Sequence, residues 1–128
     1  MIRDGDKGRR VLVVDADSRS LELIAVALID SGFTVRTAVS AAEAVSEARR
    51  LPPALVLSDA EMPGTDGFEL SAALRREPAL DAIPIVLLTN RPAGPRDRER
   101  GATVGVADYL PKLVDLPGLV RMLQRLAA

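Results

Sequence analysis

Cysteine, histidine and tryptophan are all absent from this sequence of 128 residues. Without cysteine the chain can form no disulfide framework and no thiolate zinc site, and it has no cysteine nucleophile. Without histidine it cannot build a Ser-His-Asp triad, and no imidazole is available as a metal ligand or acid–base catalyst. The aromatic content is only 2%, which argues against the stacking platforms that bind single-stranded nucleic acid.

Charge and hydropathy argue against further classes of partner. The formal net charge is −1, so no electrostatic argument favours nucleic acid or a membrane surface. No apolar run approaches the roughly 18 residues of a membrane span and the N-terminus is polar, so we expect no span, no signal peptide and a cytoplasmic location. The length indicates one domain, which we place at residues 9–127 after a flexible polar tail at residues 1–8.

Five short apolar runs indicate strands. They cover residues 11–15, 33–38, 54–59, 83–89 and 106–112, and the second run alternates as an edge strand does. A pattern with helical spacing follows each run. Strand–helix alternation with crossovers of this length predicts a parallel sheet with helices on both faces, which is a three-layer, doubly wound α/β sandwich.

Residues at the ends of the helical segments support these boundaries. Asp17 or Ser18 can accept the free amide hydrogens at the start of the first helix, and Ser40 opens a capping-box pattern for the second. We predict that a short polar helix begins at Pro95. Asp115 is expected to cap the last helix, whose apolar residues form one stripe.

Residues 54–67, ALVLSDAEMPGTDG, are the most informative stretch. The apolar half indicates a strand buried on both faces, so Asp59 lies at the carboxyl end of a central strand, where open parallel sheets bind ligands. A carboxylate that is shielded from water is paired, metal-bound or reactive. The turn at Pro63 and Gly64 forms a rigid wall beside it. The alternative is that Asp59 only caps the helix that follows.

Four strand ends carry groups of complementary chemistry. They are Asp15, Asp59, Thr89 and Lys112, which a parallel sheet brings to one edge. Two neighbouring carboxylates repel each other and suit a hard cation such as Mg²⁺, whereas a hydroxyl and an ammonium suit a phosphoryl group. The alternative is a set of four unrelated structural residues, but their coincidence at one edge favours a phosphoryl-binding site.

The motifs VLVVDADS, LVLSDAEMPGTDGFEL, IPIVLLTN and GVADYLPK follow one another at the spacing of a known family. With them, residues 9–127 resemble the receiver domain of two-component response regulators, and in particular the chemotaxis receivers. The resemblance implies a flavodoxin-like fold with five parallel strands in the order 2-1-3-4-5 and five helices. It also implies a signalling domain rather than an enzyme, with at most self-catalysed phosphoryl transfer and autodephosphorylation.

The resemblance assigns roles to the residues at the sheet edge. Asp59 would accept the phosphoryl group from the phosphohistidine of a kinase, and Mg²⁺ would be held by Asp15, Asp59 and the backbone carbonyl of Glu61. Lys112 would pair with Asp59 before transfer and with the phosphoryl group afterwards. Thr89 would turn to hydrogen-bond that group. Phosphoryl transfer depends mainly on positioning and charge neutralisation, which such a set supplies.

Two departures from the family pattern bear on this site. Ala16 stands where the family has a second acid that binds the metal directly, so Mg²⁺ binding should be weak. Leu113 follows Lys112 where the family has a proline in a cis peptide, so we expect a trans bond here and a less firmly aimed Lys112. At the mouth of the site, Glu61 adds a carboxylate that Arg91 can pair.

The resemblance also implies partners. A histidine kinase or phosphotransfer protein would act upstream. Phosphorylation would turn Tyr109 inward behind Thr89 and change the surface of residues 95–127, which would bind a downstream protein or a second copy of the chain. We expect neither nucleic acid nor a membrane as a partner, so the chain acts through another protein or is a domain of a longer one.

Two other functions stay open. Because of Ala16 and Leu113, the chain could be a pseudo-receiver, an interaction module that works without phosphorylation. VLVVDAD also matches the D-x-D opening of the haloacid dehalogenase-like phosphohydrolases, with Asp15 as nucleophile and Asp17 as acid–base. That family needs an acid pair after its lysine, which is incomplete here, so we favour the receiver interpretation.

Overall fold

Strands and helices alternate along the chain in the predicted order. The structure, a computed structural model, describes residues 9–112 and 116–127. Within them the elements are β1 (Arg10–Val14), α1 (Ser18–Asp30), β2 (Thr34–Ala38), α2 (Ala41–Arg50), β3 (Leu55–Asp59), α3 (Gly67–Arg75), β4 (Ile85–Thr89), α4 (Pro95–Val104), β5 (Asp108–Pro111) and α5 (Leu116–Ala127). The predicted tail at residues 1–8 and the predicted cap Asp115 lie outside the described residues.

The strands of the described residues are all parallel and form one sheet in the order β2-β1-β3-β4-β5. The predicted doubly wound α/β sandwich with strand order 2-1-3-4-5 is therefore confirmed. β2 lies at one edge and is partly exposed, in keeping with its alternating sequence. β1 and β3 are buried along their whole length, which places the carboxyl end of β3 near the middle of the sheet edge.

Alternate residues of each strand pack on opposite faces of the sheet. On β1, Val11 and Val13 join a hydrophobic cluster with α1 and α5, whereas Leu12 and Val14 join a second cluster with α2 and α3. Each large side chain that is fully buried contributes about 1.5–3 kcal/mol, so both clusters hold the sheet firmly. No helix in the described ranges is long and apolar enough to cross a membrane.

Helix starts follow the signals in the sequence. The carboxylate of Asp17 accepts the first-turn amide of α1 at 3.1 Å, and the hydroxyl of Ser40 accepts that of α2 at 3.2 Å. Pro95 is the first residue of α4. The predicted helix starts at Asp17, Ser40 and Pro95 are confirmed; at Ser40 the bond to the amide of Glu43 is the observed half of the predicted capping box. A reciprocal capping box at the start of α3, formed by Asp66 and Glu69, was not predicted.

A close approach at Gly67 seats α3 against the end of β3. A Cβ atom at this position would lie 2.7 Å from the carbonyl oxygen of Asp59 and 2.8 Å from Cδ2 of Leu87. The amide of Gly67 donates a hydrogen bond to the carbonyl of Ala60 at 3.0 Å. Residues 60–66 therefore fold tightly over the end of β3 and form one wall of the edge that carries Asp59.

Candidate functional site

Asp15 and Asp59 lie side by side at the carboxyl edge of the sheet. In the parallel pairing of β1 with β3, Val14 is opposite Ser58, so the two acids follow at the same level. Asp15 is 1% exposed and Asp59 is 4% exposed. Two buried carboxylates so close together repel each other unless a cation neutralises them.

Lys112 supplies that cation. It follows β5, passes the end of β4, and places Nζ 2.8 Å from Oδ2 of Asp59 and 3.2 Å from both carboxylate oxygens of Asp15. Burial by itself lowers the pKa of Lys112, but the hydrogen bonds to Asp59 and Asp15 outweigh that effect, so the pKa lies above its ordinary value. The ammonium is therefore protonated at neutral pH and fixed between the two acids.

The position of Lys112 differs from the expectation based on Leu113. The Lys112–Leu113 peptide bond, predicted to be trans, lies outside the described residues. The expectation of a poorly aimed Lys112 is nevertheless wrong, because its amine contacts Asp59 directly. A physical reason is that the amide of Lys112 donates to the carbonyl of Thr89 at 2.7 Å, which ties the base of this flexible side chain to β4.

Backbone amides orient the two carboxylates. Oδ1 of Asp59 accepts the amide of Glu61 at 3.1 Å, and Oδ1 of Asp15 accepts the amide of Asp17 at 2.9 Å. Oδ2 of Asp15 is buried and accepts no hydrogen bond of good geometry, although the Lys112 ammonium is 3.2 Å away. One oxygen at the site is thus available to a further donor or a cation.

Asp15 and Asp59 are the buried acids of this edge in the part of the chain that the structure describes. Within residues 9–112 and 116–127, no group of three or more acidic side chains is placed to hold a metal ion. Ala16 adds no ligand, and the carboxylate of Asp17 is occupied by the Arg19 amide and the Ser20 hydroxyl at the start of α1. These bonds, the one to Ser20 first, hold the pKa of Asp17 below its ordinary value. The strength of Mg²⁺ binding stays a prediction.

Thr89 stands at the end of the neighbouring strand. In the pairing of β3 with β4, Asp59 is opposite Leu88, and Thr89 is the next residue. The hydroxyl of Thr89 donates only a long hydrogen bond, 3.5 Å, to the carbonyl of Leu110. Because a bond of that length is weak, the hydroxyl can turn to another acceptor at little cost.

Arg91 lies at the mouth of the site, as predicted. Its Nε is 3.8 Å from Oε1 of Glu61, but its closer partner is Asp97, with Nη1 3.0 Å from Oδ2. The hydrogen bond from the amide of Gly94 and then the pairing with Arg91 lower the pKa of Asp97 below its ordinary value. Arg91 therefore links the turn after β3 to the first turn of α4.

A cavity of about 490 Å³ opens between that turn and α4, with Thr89 in its wall and Met62 and Phe68 among its apolar lining. The guanidinium of Arg100 lies 4.5 Å above the Phe68 ring and 3.1 Å from the carboxylate of Asp66. This contact of Arg100 was not predicted, because spacing within α4 gives no sign of a partner more than thirty residues earlier.

Tyr109, the predicted switch residue, lies against α4. Its hydroxyl donates to the carbonyl of Asp97 at 3.0 Å, and its ring centroid is 6.2 Å from that of Phe68. Burial raises the pKa of this phenol above its ordinary value. Tyr109 and Thr89 line a common cavity of about 290 Å³.

Comparison with known proteins shows the family of the chain. Residues 11–124 match the family model described as the response regulator receiver domain. The chain is 39% identical over 115 residues to an uncharacterized 14.6 kDa protein in the sodA1 3'region of Leptolyngbya boryana, covering 90% of this chain and 87% of that protein. It is 36% identical over 106 residues to the response regulator PleD of Caulobacter vibrioides, covering 83% of this chain but only 23% of PleD.

The fold is also similar to that of solved receivers. The chemotaxis protein CheY4 of Vibrio cholerae superposes with a TM-score of 0.87 at 31% sequence identity, over 91% of this chain and 97% of that one. The family match, over residues 11–124, spans nearly all of the described sheet and its helices. The chain belongs to the response regulator receiver domain family.

Proposed function

We propose that this chain is a phospho-accepting switch of two-component signalling and that its acceptor is Asp59. The observation that carries the proposal is the 2.8 Å contact between Nζ of Lys112 and Oδ2 of Asp59, with Asp15 buried beside them. Helix capping by a carboxylate requires neither a buried ammonium nor a second buried acid beside it. Positioning and charge neutralisation are what phosphoryl transfer requires.

The proposed reaction moves a phosphoryl group from a phosphohistidine to a carboxylate. A carboxylate oxygen of Asp59 attacks the phosphorus, the bond between phosphorus and the imidazole nitrogen breaks, and the imidazole takes the electron pair of that bond. The product is an acyl phosphate on Asp59. The Lys112 ammonium offsets the charge of the attacking carboxylate and then that of the phosphoryl oxygens, and the Thr89 hydroxyl turns to donate to them.

The residues present fit a weakly held Mg²⁺. Oδ2 of Asp15 is buried without a hydrogen bond, and Asp59 is beside it; with the backbone carbonyl of Glu61 they would hold the ion. When bound, Mg²⁺ supplies positive charge against the phosphoryl oxygens. Because Ala16 offers no carboxylate, Lys112 carries a larger share of that neutralisation here.

Phosphorylation followed by trapping tests the proposal. The protein is incubated with acetyl phosphate and Mg²⁺ and resolved on a Phos-tag gel; the acyl phosphate is then reduced with borohydride and located by mass spectrometry. We expect the label on Asp59 and no mobility shift for Asp59→Asn. The matched variant Asp15→Asn should slow labelling but leave it on Asp59. A label on Asp15, or a shift that survives Asp59→Asn, would contradict the proposal.

Partners follow from the same chemistry. The donor would be a histidine kinase or a phosphotransfer protein, and the response would pass to a downstream protein, or to a second copy of the chain, through the surface of residues 95–127. In this surface Arg98 and Tyr109 are in contact, which gives phosphorylation a defined element to displace. The chain spans only 23% of the length of PleD.

A phosphorylation-independent interaction module is the second candidate. It is favoured by Lys112, which offsets one of the two negative charges of Asp15 and Asp59, and by Ala16, which offers no carboxylate. Failure of labelling with both acetyl phosphate and a panel of kinases, at saturating Mg²⁺, would support it. The phosphohydrolase alternative is disfavoured because Asp17, its acid–base, is engaged in capping α1.

A further inference from the structure

Helix α4 is attached to the domain by an unusual contact. Within α4, all of which is described, Gly101 is the one buried residue, and the other positions are partly or fully exposed. A glycine inside a helix costs about 1 kcal/mol relative to alanine. Docking of α4 therefore depends on a small number of contacts, among them those of Arg100 with Asp66 and Phe68 and the contact at Gly101.

The partner of Gly101 is the hydroxyl end of Tyr109. A Cβ atom on residue 101 would lie 1.6 Å from the Tyr109 hydroxyl oxygen and 2.9 Å from Cζ, far inside contact distance. The phenol thus occupies the space that any other residue would fill with its side chain. Any side chain at position 101 requires either the ring or the helix to move.

Gly101 also explains how the hydroxyl finds its hydrogen-bond acceptor. Tyr109 donates to the carbonyl of Asp97, one helical turn before Gly101, at 3.0 Å. In an α-helix the Cβ of each residue tilts towards the N-terminus and lies over the preceding turn. With no Cβ at position 101, the carbonyl of Asp97 is open to a donor from outside the helix.

The ring is held on its other sides as well. The guanidinium of Arg98 lies 5.3 Å from the ring centroid, and the Phe68 ring approaches at 6.2 Å with the planes tilted by 39°. Gly101, Arg98 and Phe68 together fix one position for the phenol of Tyr109, which we call its seat. The cavity that Tyr109 shares with Thr89 lies beside this seat.

We propose that Gly101 is the positioning residue for Tyr109: the missing side chain forms the seat that holds the phenol against α4, and a methyl group at position 101 drives the phenol out of it. The assignment deepens the proposed function by naming what fixes the resting position of its switch. The seat itself does not depend on phosphorylation and is tested on the unmodified protein.

The composition of the chain makes the test direct. Tyr109 is the only tyrosine and tryptophan is absent, so the tyrosine band in near-ultraviolet circular dichroism reports this residue. We expect nuclear Overhauser contacts from the Tyr109 ring to residue 101 in the wild-type protein. In Gly101→Ala these contacts should be lost and the tyrosine band should change. The neighbouring exposed variant Ala102→Gly, which weakens the helix without filling the seat, should leave both unchanged.

Urea denaturation of a double variant provides the second readout. Gly101→Ala should lower the unfolding midpoint of the wild-type protein. In the Tyr109→Phe background the atom at 1.6 Å is absent and the nearest ring atom, Cζ, lies at 2.9 Å, so the same change should lower the midpoint by much less than in the wild-type protein. If Gly101→Ala alone does not fold, the double variant still decides the matter by folding or failing to fold.

Several results would overturn the assignment. They are a midpoint that Gly101→Ala raises in the wild-type protein or lowers equally in both backgrounds, ring contacts retained in Gly101→Ala, an Ala102→Gly variant that loses the contacts equally, and a double variant that does not fold. Failure of Asp59 labelling would refute the proposed function and leave these results unaffected, so the two failures are distinguishable.

Discussion

Lys112 contacts Asp59 across the width of a strand: its ammonium leaves β5, passes β4 and lies 2.8 Å from the carboxylate at the end of β3. The same ammonium is 3.2 Å from Asp15, so one cation serves two acids that are each at least 95% buried. The cluster has a net charge of −1 and resembles a site prepared to receive a second cation.

Lys112→Met should destabilise the protein strongly. The substitution removes the cation and leaves the buried carboxylates of Asp15 and Asp59 to repel each other. Removing one partner of a buried ion pair costs about 3–5 kcal/mol, and we expect a loss of that order in the free energy of unfolding. Urea denaturation followed by circular dichroism at neutral pH measures it.

Asp59→Asn is the matched control and should behave in the opposite way. The amide keeps the shape of the side chain and an acceptor for Lys112, while one of two like charges disappears. We expect the free energy of unfolding to fall by less than about 1 kcal/mol or to rise. Equal losses for Lys112→Met and Asp59→Asn would show that packing, rather than charge balance, stabilises the cluster.

Alkaline pH should weaken the fold through Lys112. Its pKa is raised in the folded state by the hydrogen bonds to Asp59 and Asp15, which outweigh burial, so folding favours the protonated amine. Its contribution is complete below the ordinary lysine pKa of about 10.4 and disappears as the pH rises through the higher folded value. Tyr109 adds a loss of the same sign, because burial raises its pKa as well.

Urea midpoints measured from neutral to strongly alkaline pH test this dependence. The decline should be shallower in Lys112→Met, which retains only the contribution of Tyr109 among these two groups. Parallel declines in the two proteins would mean that Lys112 has the same pKa folded and unfolded.

Much of the site could be predicted from the sequence because the topology of the sheet determines which residues meet. Strand–helix alternation implies a parallel sheet, and in such a sheet residues that follow the strands meet at one edge whatever their separation in sequence. Asp15 and Lys112 are 97 positions apart and still form an ion pair. The caps at Asp17 and Ser40 were also predictable, since they depend on neighbours within a few residues.

The features that could not be predicted depend on contacts between residues that are distant in the sequence. The seat of Tyr109 requires a particular distance between α4 and β5, and neither periodicity nor propensity encodes that distance. The predicted strand 106–112 is wrong at its start for a similar reason: the amide of Val106 bonds to the carbonyl of Gly101 and closes α4, so β5 begins only at Asp108. The stripe of apolar residues predicted for α5 is buried at Leu119 and Leu123, whereas Leu126, the last residue of that stripe, is 38% exposed.

Gly67→Ala should disturb the wall of the site. The new methyl group would lie 2.7 Å from the carbonyl oxygen of Asp59 and 3.1 Å from Cα of Ala60, and backbone atoms cannot easily move aside. Overpacking of this kind costs about 1–3 kcal/mol, and it should also lower the rate of Asp59 labelling. The matched control is Gly94→Ala, where no atom lies within 4 Å and which should change the free energy of unfolding by less than about 1 kcal/mol.

Ala16→Asp should tighten the binding of Mg²⁺. In the native chain two buried acids, already neutralised in part by Lys112, would hold the ion, so we expect a dissociation constant in the millimolar range or weaker, a free energy no better than about −4 kcal/mol. A third carboxylate adds about 1–4 kcal/mol of attraction at contact distance in wet surroundings, which means at least a several-fold gain in affinity.

Titration of amide resonances with MgCl₂ measures both constants, and Ala16→Asn, which adds the bulk without the charge, should gain much less. Micromolar affinity in the native protein, or equal gains for Asp and Asn, would show that charge at position 16 does not limit metal binding.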